Sequence, residues 1–146
     1  MPDLPGALTS DNGWDTVTHQ IFLKNTVARL QDAGIRVSLF IDPVESRLLA
    51  AKETGAERIE FYTGPYAHDF HENKVKAVQP YVKAAEICQQ LGLGINAGHD
   101  LNLDNLKYFN TEIPFLLEVS IGHALVCDAL YYGLKNTIQM YLRELE

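Results

Sequence analysis

Several features that narrow a function quickly are scarce in this sequence. Cysteine occurs twice, at Cys88 and Cys127, with no C-x-x-C spacing. That pattern argues against a disulfide framework and reads as two buried, reduced thiols of a cytosolic protein. No apolar run reaches the roughly 18 residues that a membrane span needs. The opening Met-Pro-Asp-Leu-Pro-Gly has neither the basic stretch nor the apolar core of a secretory signal. Cations are few: 12 Lys and Arg stand against 19 Asp and Glu, a formal charge of −7. This argues against wholesale nucleic-acid binding, which wants a basic face. It leaves room for a small anion, because one helix N-terminus can hold a phosphate in an acidic protein. What remains, in 146 residues with 47% apolar and 21% charged side chains, is the composition of one soluble globular domain.

Along the chain, residues 1–20 read as loop, broken by Pro2, Pro5, Gly6, Asn12 and Gly13. Apolar residues at helical spacing run from about Ile21 to Ala33 and stop at Gly34. Arg36 to Pro43 reads as a strand, apolar on nearly both faces as parallel strands are. A helix follows to Thr54, then a strand over Arg58–Gly64. A polar stretch with Tyr66, His68, Asp69 and His71 reads as a solvated loop. Two histidines there are weak evidence for a metal. A helix from about Asn73 to Leu91, a strand at Leu93–Ile95 and a short helix near Leu103–Phe109 come next. A fourth strand over Phe115–Ile121 and one long amphipathic helix from Ala124 to Leu145 close the chain. Tyr131, Tyr132 and Tyr141 are expected to be packing residues of that helix.

Four strand–helix units in succession predict an α/β fold with a parallel sheet and right-handed crossovers. Four such units make half of an eight-stranded barrel, which runs to about 250 residues. An isolated four-stranded parallel sheet leaves unpaired backbone on both edges, which natural folds avoid. The chain also starts inside a loop with no strand before it. The expectation is a piece of a barrel.

The titratable residues collect at the C-terminal strand ends, where parallel α/β folds put their chemistry. Leu93 to Leu101 reads Leu-Gly-Ile-Asn-Ala-Gly-His-Asp-Leu. Small residues there let a ligand come close to His99 and Asp100. The plain alternative is a surface histidine and a helix-capping aspartate. Glu60 lies inside an apolar run, which is costly unless it pairs with a neighbouring strand or faces a wet site. Ser120-Ile121-Gly122-His123 stands at a strand-to-helix junction, where free N–H groups and the helix dipole favour an anion. The alternative for His123 is a helix-cap neighbour with no ligand. Thr9, Ser10, Asp11 and Asn12 form a polar cluster that by itself reads as a solvated turn.

Taken in order, these residues resemble a known family. Val37-Ser38-Leu39-Phe40-Ile41-Asp42, Ile59-Glu60 with Thr63-Gly64, Asn96-Ala97-Gly98-His99 and Ile121-Gly122-His123 together resemble pyridoxine 5′-phosphate synthase. Met1-Pro2-Asp3 through Thr9-Ser10 resembles the segment after that family's fourth strand. The resemblance covers the whole chain but only the C-terminal half of the family's length. It implies the C-terminal half of a (βα)8 TIM barrel, with residues 1–146 forming a single partial domain of strands five to eight.

The resemblance further implies a condensation of 3-amino-2-oxopropyl phosphate with 1-deoxy-D-xylulose 5-phosphate. The products are pyridoxine 5′-phosphate, inorganic phosphate and water, with no metal or organic cofactor. On this basis His99 donates protons in the dehydration and elimination steps, and Glu60 stabilises a cationic or proton-transfer transition state. Asp100 lines the amino-ketone phosphate site, Gly122 and His123 hold its phosphate, and Thr9 contacts the deoxyxylulose phosphate. Many family members carry Gly where this chain has Asp100, and a carboxylate there repels phosphate unless it points away or bonds the amine. The resemblance also implies a cytoplasmic homo-oligomer. The family's first four strands, with its other acids, bases and second phosphate site, are absent, so this chain alone is expected to be inactive.

Two other readings remain. One is a non-catalytic phosphate-binding or assembly module that dimerises edge to edge. The other is an epimerase or aldolase on sugar phosphates, which wants a lysine or metal ligands at the strand ends, where none stands.

Overall fold

A computed structural model describes residues 8–146; the loop reading of residues 1–7 lies outside the described residues. In chain order the elements are α1 (Gln20–Asp32), β1 (Ser38–Ile41), α2 (Glu45–Glu53), β2 (Arg58–Phe61) and α3 (Gly64–Leu91), then β3 (Gly94–Ala97), α4 (Leu106–Glu112), β4 (Leu116–Val119), α5 (His123–Tyr132) and α6 (Leu134–Arg143). The four strands form one parallel sheet in sequential order β1-β2-β3-β4. The α/β alternation expected from the sequence is therefore observed.

Strand parity divides the sheet into two unlike faces. Leu39, Ile41, Ile59, Phe61, Ile95 and Ala97 point to one side and join a single core with Leu23, Val27, Leu48, Tyr81, Ala85 and Cys88 of the helices. Phe40, Glu60, Asn96 and Glu118 stand side by side on the other face, in register across all four strands. Apolar side chains on the helix side drive the layer together by burial. Tyr66, Tyr81 and Phe109 form its aromatic centre, with ring centroids 4.9–6.0 Å apart. The buried Tyr66 hydroxyl donates to the Asn105 carbonyl at 2.7 Å, and Tyr81 donates to the Tyr62 carbonyl at 2.8 Å.

The polar face curls. In a flat sheet the outer strands lie about 14 Å apart. Here Arg36, just before β1, reaches Glu118 of β4 at 3.0 Å, and Arg58 of β2 reaches the same carboxylate at 2.7 Å. A curled four-stranded parallel sheet with helices on its outer face is the arrangement of half an eight-stranded barrel. The edge at β1 is partly covered: Trp14 N–H donates to the Phe40 carbonyl at 2.8 Å, so the segment before α1 runs alongside β1.

Three expectations are corrected. The stretch with Tyr66, His68, Asp69 and His71 is helix, not loop: α3 starts at Gly64, takes Pro65 in its first turn, and breaks geometry only at Asn73 (φ −158°, ψ 89°). Proline suits that position because its missing N–H has no helical partner there. The closing helix is two helices, parted at Gly133, whose φ of 78° and ψ of 139° are far from helical. Cys88 is buried, but Cys127 is exposed, as are Tyr131 and Tyr132; only Tyr141 of the three tyrosines packs inside. The reason is that α5 has no buried residue and presents Val126, Leu130, Tyr131 and Tyr132 outward.

Candidate active site

The site is built on the C-terminal ends of the strands. β3 runs into Gly98, His99 and Asp100. Gly98 is required by proximity, since a Cβ there would collide with the Ser120 carbonyl after β4. That contact brings the tip of β3 against the tip of β4, where Ser120 N–H donates to the Ala97 carbonyl at 2.9 Å. His99 is then held on several sides. The Thr63 hydroxyl donates to its carbonyl. Its ring sits edge-on to Tyr62 at 5.7 Å and tilted against Phe40 at 6.3 Å. Its Nε2 is 2.8 Å from the Thr9 hydroxyl.

Thr9 is ninety residues away in sequence and arrives by a tethered segment. Gly13 N–H donates to the Asp42 carboxylate at 3.2 Å, and the Thr16 hydroxyl donates to the Arg47 carbonyl at 2.6 Å. Asp42 also pairs with Arg47. The polar cluster at Thr9 is thus part of the rim and not a free turn, and Asp42 serves to fasten it there.

Glu60 projects from β2 onto the polar face, half-buried. The structural ion pair that the sequence allowed for it forms elsewhere. Glu118 takes both arginines, Arg36 and Arg58, and Arg58 also donates to Asn96 at 3.1 Å. No ion pair to Glu60 forms among the described residues. Burial pushes its carboxyl above the ordinary glutamate range, and the nearby Glu118 charge adds to this, while His99 opposes it. A carboxyl displaced upward can exchange protons nearer neutral pH.

At the tip of β4, Gly122 is the residue before α5. The first helical bond runs from Val126 N–H to the Gly122 carbonyl at 3.0 Å. The N–H groups of His123, Ala124 and Leu125 therefore lack helical partners. A Cβ at Gly122 would meet no atom of the described residues within 4 Å, so the residue itself borders open space.

All six residues singled out from the sequence, Thr9, Glu60, His99, Asp100, Gly122 and His123, line one cavity of about 470 Å³. His99 and His123 face the same space. Asp100 does not cap the following helix as the plain reading had it: α4 has Asn105 at its N-cap and no side-chain cap, and the turn before it is closed by Asn102, whose side chain accepts from Asp104 and Asn105 N–H at 2.9 and 3.2 Å. Ser120, part of the junction noted in the sequence, also lines the cavity, as do Phe40 and Asn102, to which the sequence assigned no site role. Phe40 carries the same strand parity as Glu60, which was the available signal. Among the described residues, no three His, Cys, Asp or Glu side chains are grouped as metal ligands would be. Among those residues too, no helix is long and apolar enough to cross a membrane.

A family model described as "Pyridoxal phosphate biosynthesis protein PdxJ" matches residues 1–146, the whole chain. The chain belongs to the PdxJ family. A relative from Cytophaga hutchinsonii, named pyridoxine 5′-phosphate synthase, is 59% identical over all of this chain and 61% of its own length. One of the same name from Flavobacterium johnsoniae is 53% identical over all of this chain and 62% of its own. A third, from Bacteroides fragilis, is 49% identical over 97% of this chain and 60% of its own. This PdxJ chain thus spans about 60% of the length of the curated relatives it matches.

Proposed function

We propose that this chain supplies the acid–base and phosphate-anchoring side of a pyridoxine 5′-phosphate synthase site. The reaction is the condensation of 3-amino-2-oxopropyl phosphate with 1-deoxy-D-xylulose 5-phosphate, releasing inorganic phosphate and water. The four βα units correspond to strands five to eight of the family's barrel. The observation that carries this reading is the convergence of Thr9, Glu60, His99, Asp100, Gly122 and His123 on one cavity at the C-terminal rim. It stands beside the relatives' shared name.

His99 acts as the proton donor, with Nε2 at the cavity beside the Thr9 hydroxyl. Imidazole suits a sequence of dehydration and elimination steps because it gives and takes protons near neutral pH. Glu60, whose neutral form is favoured by burial, faces the same space and steadies the transition state of proton transfer. Gly122, His123 and the free N–H groups of α5 hold one substrate's phosphate. That anchor turns remote binding energy into orientation of the reacting carbons. Thr9 contacts the second substrate. The whole enzyme is a cytoplasmic homo-oligomer without a metal or organic cofactor, and these residues alone do not turn over substrate.

The test joins this chain to the part of the Cytophaga hutchinsonii relative that it does not match, and follows ring closure. The joined protein is expected to be active, its His99→Ala variant to lose turnover, and the chain alone to show none. Turnover that survives His99→Ala, or ring closure by the chain alone at an ordinary enzymatic rate of about 1–1000 s⁻¹, overturns the proposal. A non-catalytic phosphate-binding module would instead give phosphate binding with no turnover in the joined protein.

A further inference from the structure

The carboxylate of Asp100 stands in the site without a clear role as a phosphate ligand, because like charges repel. Its geometry gives it a different one. Asp100 Oδ2 lies 3.0 Å from His99 Nδ1. Nδ1 is buried and has no aligned hydrogen-bond partner among the described residues. The carboxylate is close enough but out of line with the ring N–H. A buried N–H left unpaired is costly, and here a charged acceptor stands within reach on a half-exposed side chain.

The backbone around this pair is fixed. The His99 carbonyl accepts from Thr63, and the Asp100 carbonyl accepts from Asn105 Nδ2 at 3.2 Å. Asp100 itself adopts φ +65°, a left-handed conformation that favours glycine and that aspartate tolerates better than most residues. The chain thus keeps an acidic residue where glycine is the easier choice. On the opposite side of the ring, Nε2 meets the Thr9 hydroxyl at 2.8 Å. A hydroxyl donates or accepts, so Thr9 suits either tautomer; a carboxylate only accepts. The tautomer is therefore decided at Nδ1.

We infer that Asp100 is a positioning residue that holds a proton on His99 Nδ1, so that Nε2 is the nitrogen that takes up a proton and donates it at the cavity. This deepens the proposed function and rests on His99 being its acid–base group. The other groups facing the ring are Thr9, Glu60, Tyr62 and Phe40, and of these Glu60 is charged when ionised. Among the described residues, Asp100 has the one carboxylate oxygen placed at Nδ1.

The test uses ¹⁵N-edited ring spectra of His99 in this chain, at a pH where the ring is neutral. The wild-type chain is expected to show a protonated Nδ1 and an unprotonated Nε2. Asp100→Gly suits the left-handed backbone, so it is expected to fold, and the ring is expected to shift toward the Nε2–H form. Asp100→Asn keeps an acceptor oxygen and is expected to restore the Nδ1–H form. In the joined enzyme, general acid–base catalysis supplies about 10²–10⁴-fold, and Asp100→Gly is expected to lose roughly ten-fold in kcat with KM unchanged. Partial recovery is expected in Asp100→Asn. A ring that is Nε2–H in the wild type, or a tautomer unchanged in Asp100→Gly, overturns the inference. That readout needs no turnover, so it stands even if His99→Ala shows the proposed function to be wrong.

Discussion

Substituting Gly98 by alanine tests the contact that assembles the rim. The added Cβ would run into the Ser120 carbonyl, which is backbone and cannot swing aside. Relief requires β3 and β4 to part at their tips, where Ser120 N–H donates to the Ala97 carbonyl at 2.9 Å. Overpacking of this kind costs about 1–3 kcal/mol, and loss of the hydrogen bond adds about 0.5–1.5 kcal/mol. For a domain near this size each kcal/mol lowers the melting temperature by about 2–4 °C. Gly98→Ala is therefore expected to melt about 3–18 °C below the wild type. Gly122→Ala is the control in the same rim: its Cβ enters open space at an ordinary φ of −107°, so stability is expected to stay within about 0.5 kcal/mol. Circular-dichroism melts of the three proteins decide the matter. A Gly98→Ala protein that melts with the wild type, or a Gly122→Ala protein destabilised as much as Gly98→Ala, would refute the reasoning.

Other expectations follow from single contacts. Glu60 binds its proton more tightly folded than unfolded, so as pH rises past the ordinary carboxylate range the native state loses stability relative to the unfolded chain. Glu60→Gln removes that loss; it is expected to be more stable than the wild type at neutral pH and indistinguishable below about pH 4, as read by denaturant titration. Tyr66→Phe removes the hydroxyl that satisfies the Asn105 carbonyl and is expected to cost about 1–3 kcal/mol by the same assay. Burial pushes the Cys88 thiol up to about 12, whereas Cys127 is exposed, so a thiol reagent is expected to label one cysteine quickly in the folded chain and both after unfolding.

The strands were legible because they are short, apolar on nearly both faces and closed by glycine or a polar tip. The expected bounds of β1, β2 and β4 exceed the observed ones by a few residues, whereas β3, expected at Leu93–Ile95, runs two residues further, to Ala97. The start of α3 was not, because Gly64, Pro65, His68 and Asp69 each suggest a loop, while the fact that proline is harmless in a first turn pulls the other way. The break at Gly133 was hidden inside a continuous amphipathic pattern; α6 alone has a strong apolar face, and α5 does not. The exposed Tyr131 and Tyr132 were misplaced for a related reason: an apolar residue at helical spacing predicts a packed face, but not which body packs on it.

Within the site, residues at strand tips were readable from type and position. The Arg36–Glu118–Arg58–Asn96 network was not, since it depends on the curl of the sheet bringing β1 and β4 together. Thr9 came only from the resemblance, and the tether through Gly13, Trp14 and Thr16 supplies the physical reason.

The central claim is that an imidazole and an anion cradle share one rim of this sheet. Titrating inorganic phosphate into the ¹⁵N-labelled chain tests it most directly. The account predicts saturable shifts concentrated in the amides of His123, Ala124 and Leu125, with the His99 ring responding across the same cavity. Shifts absent from these amides, or confined to the outer surface of the helices, would contradict it.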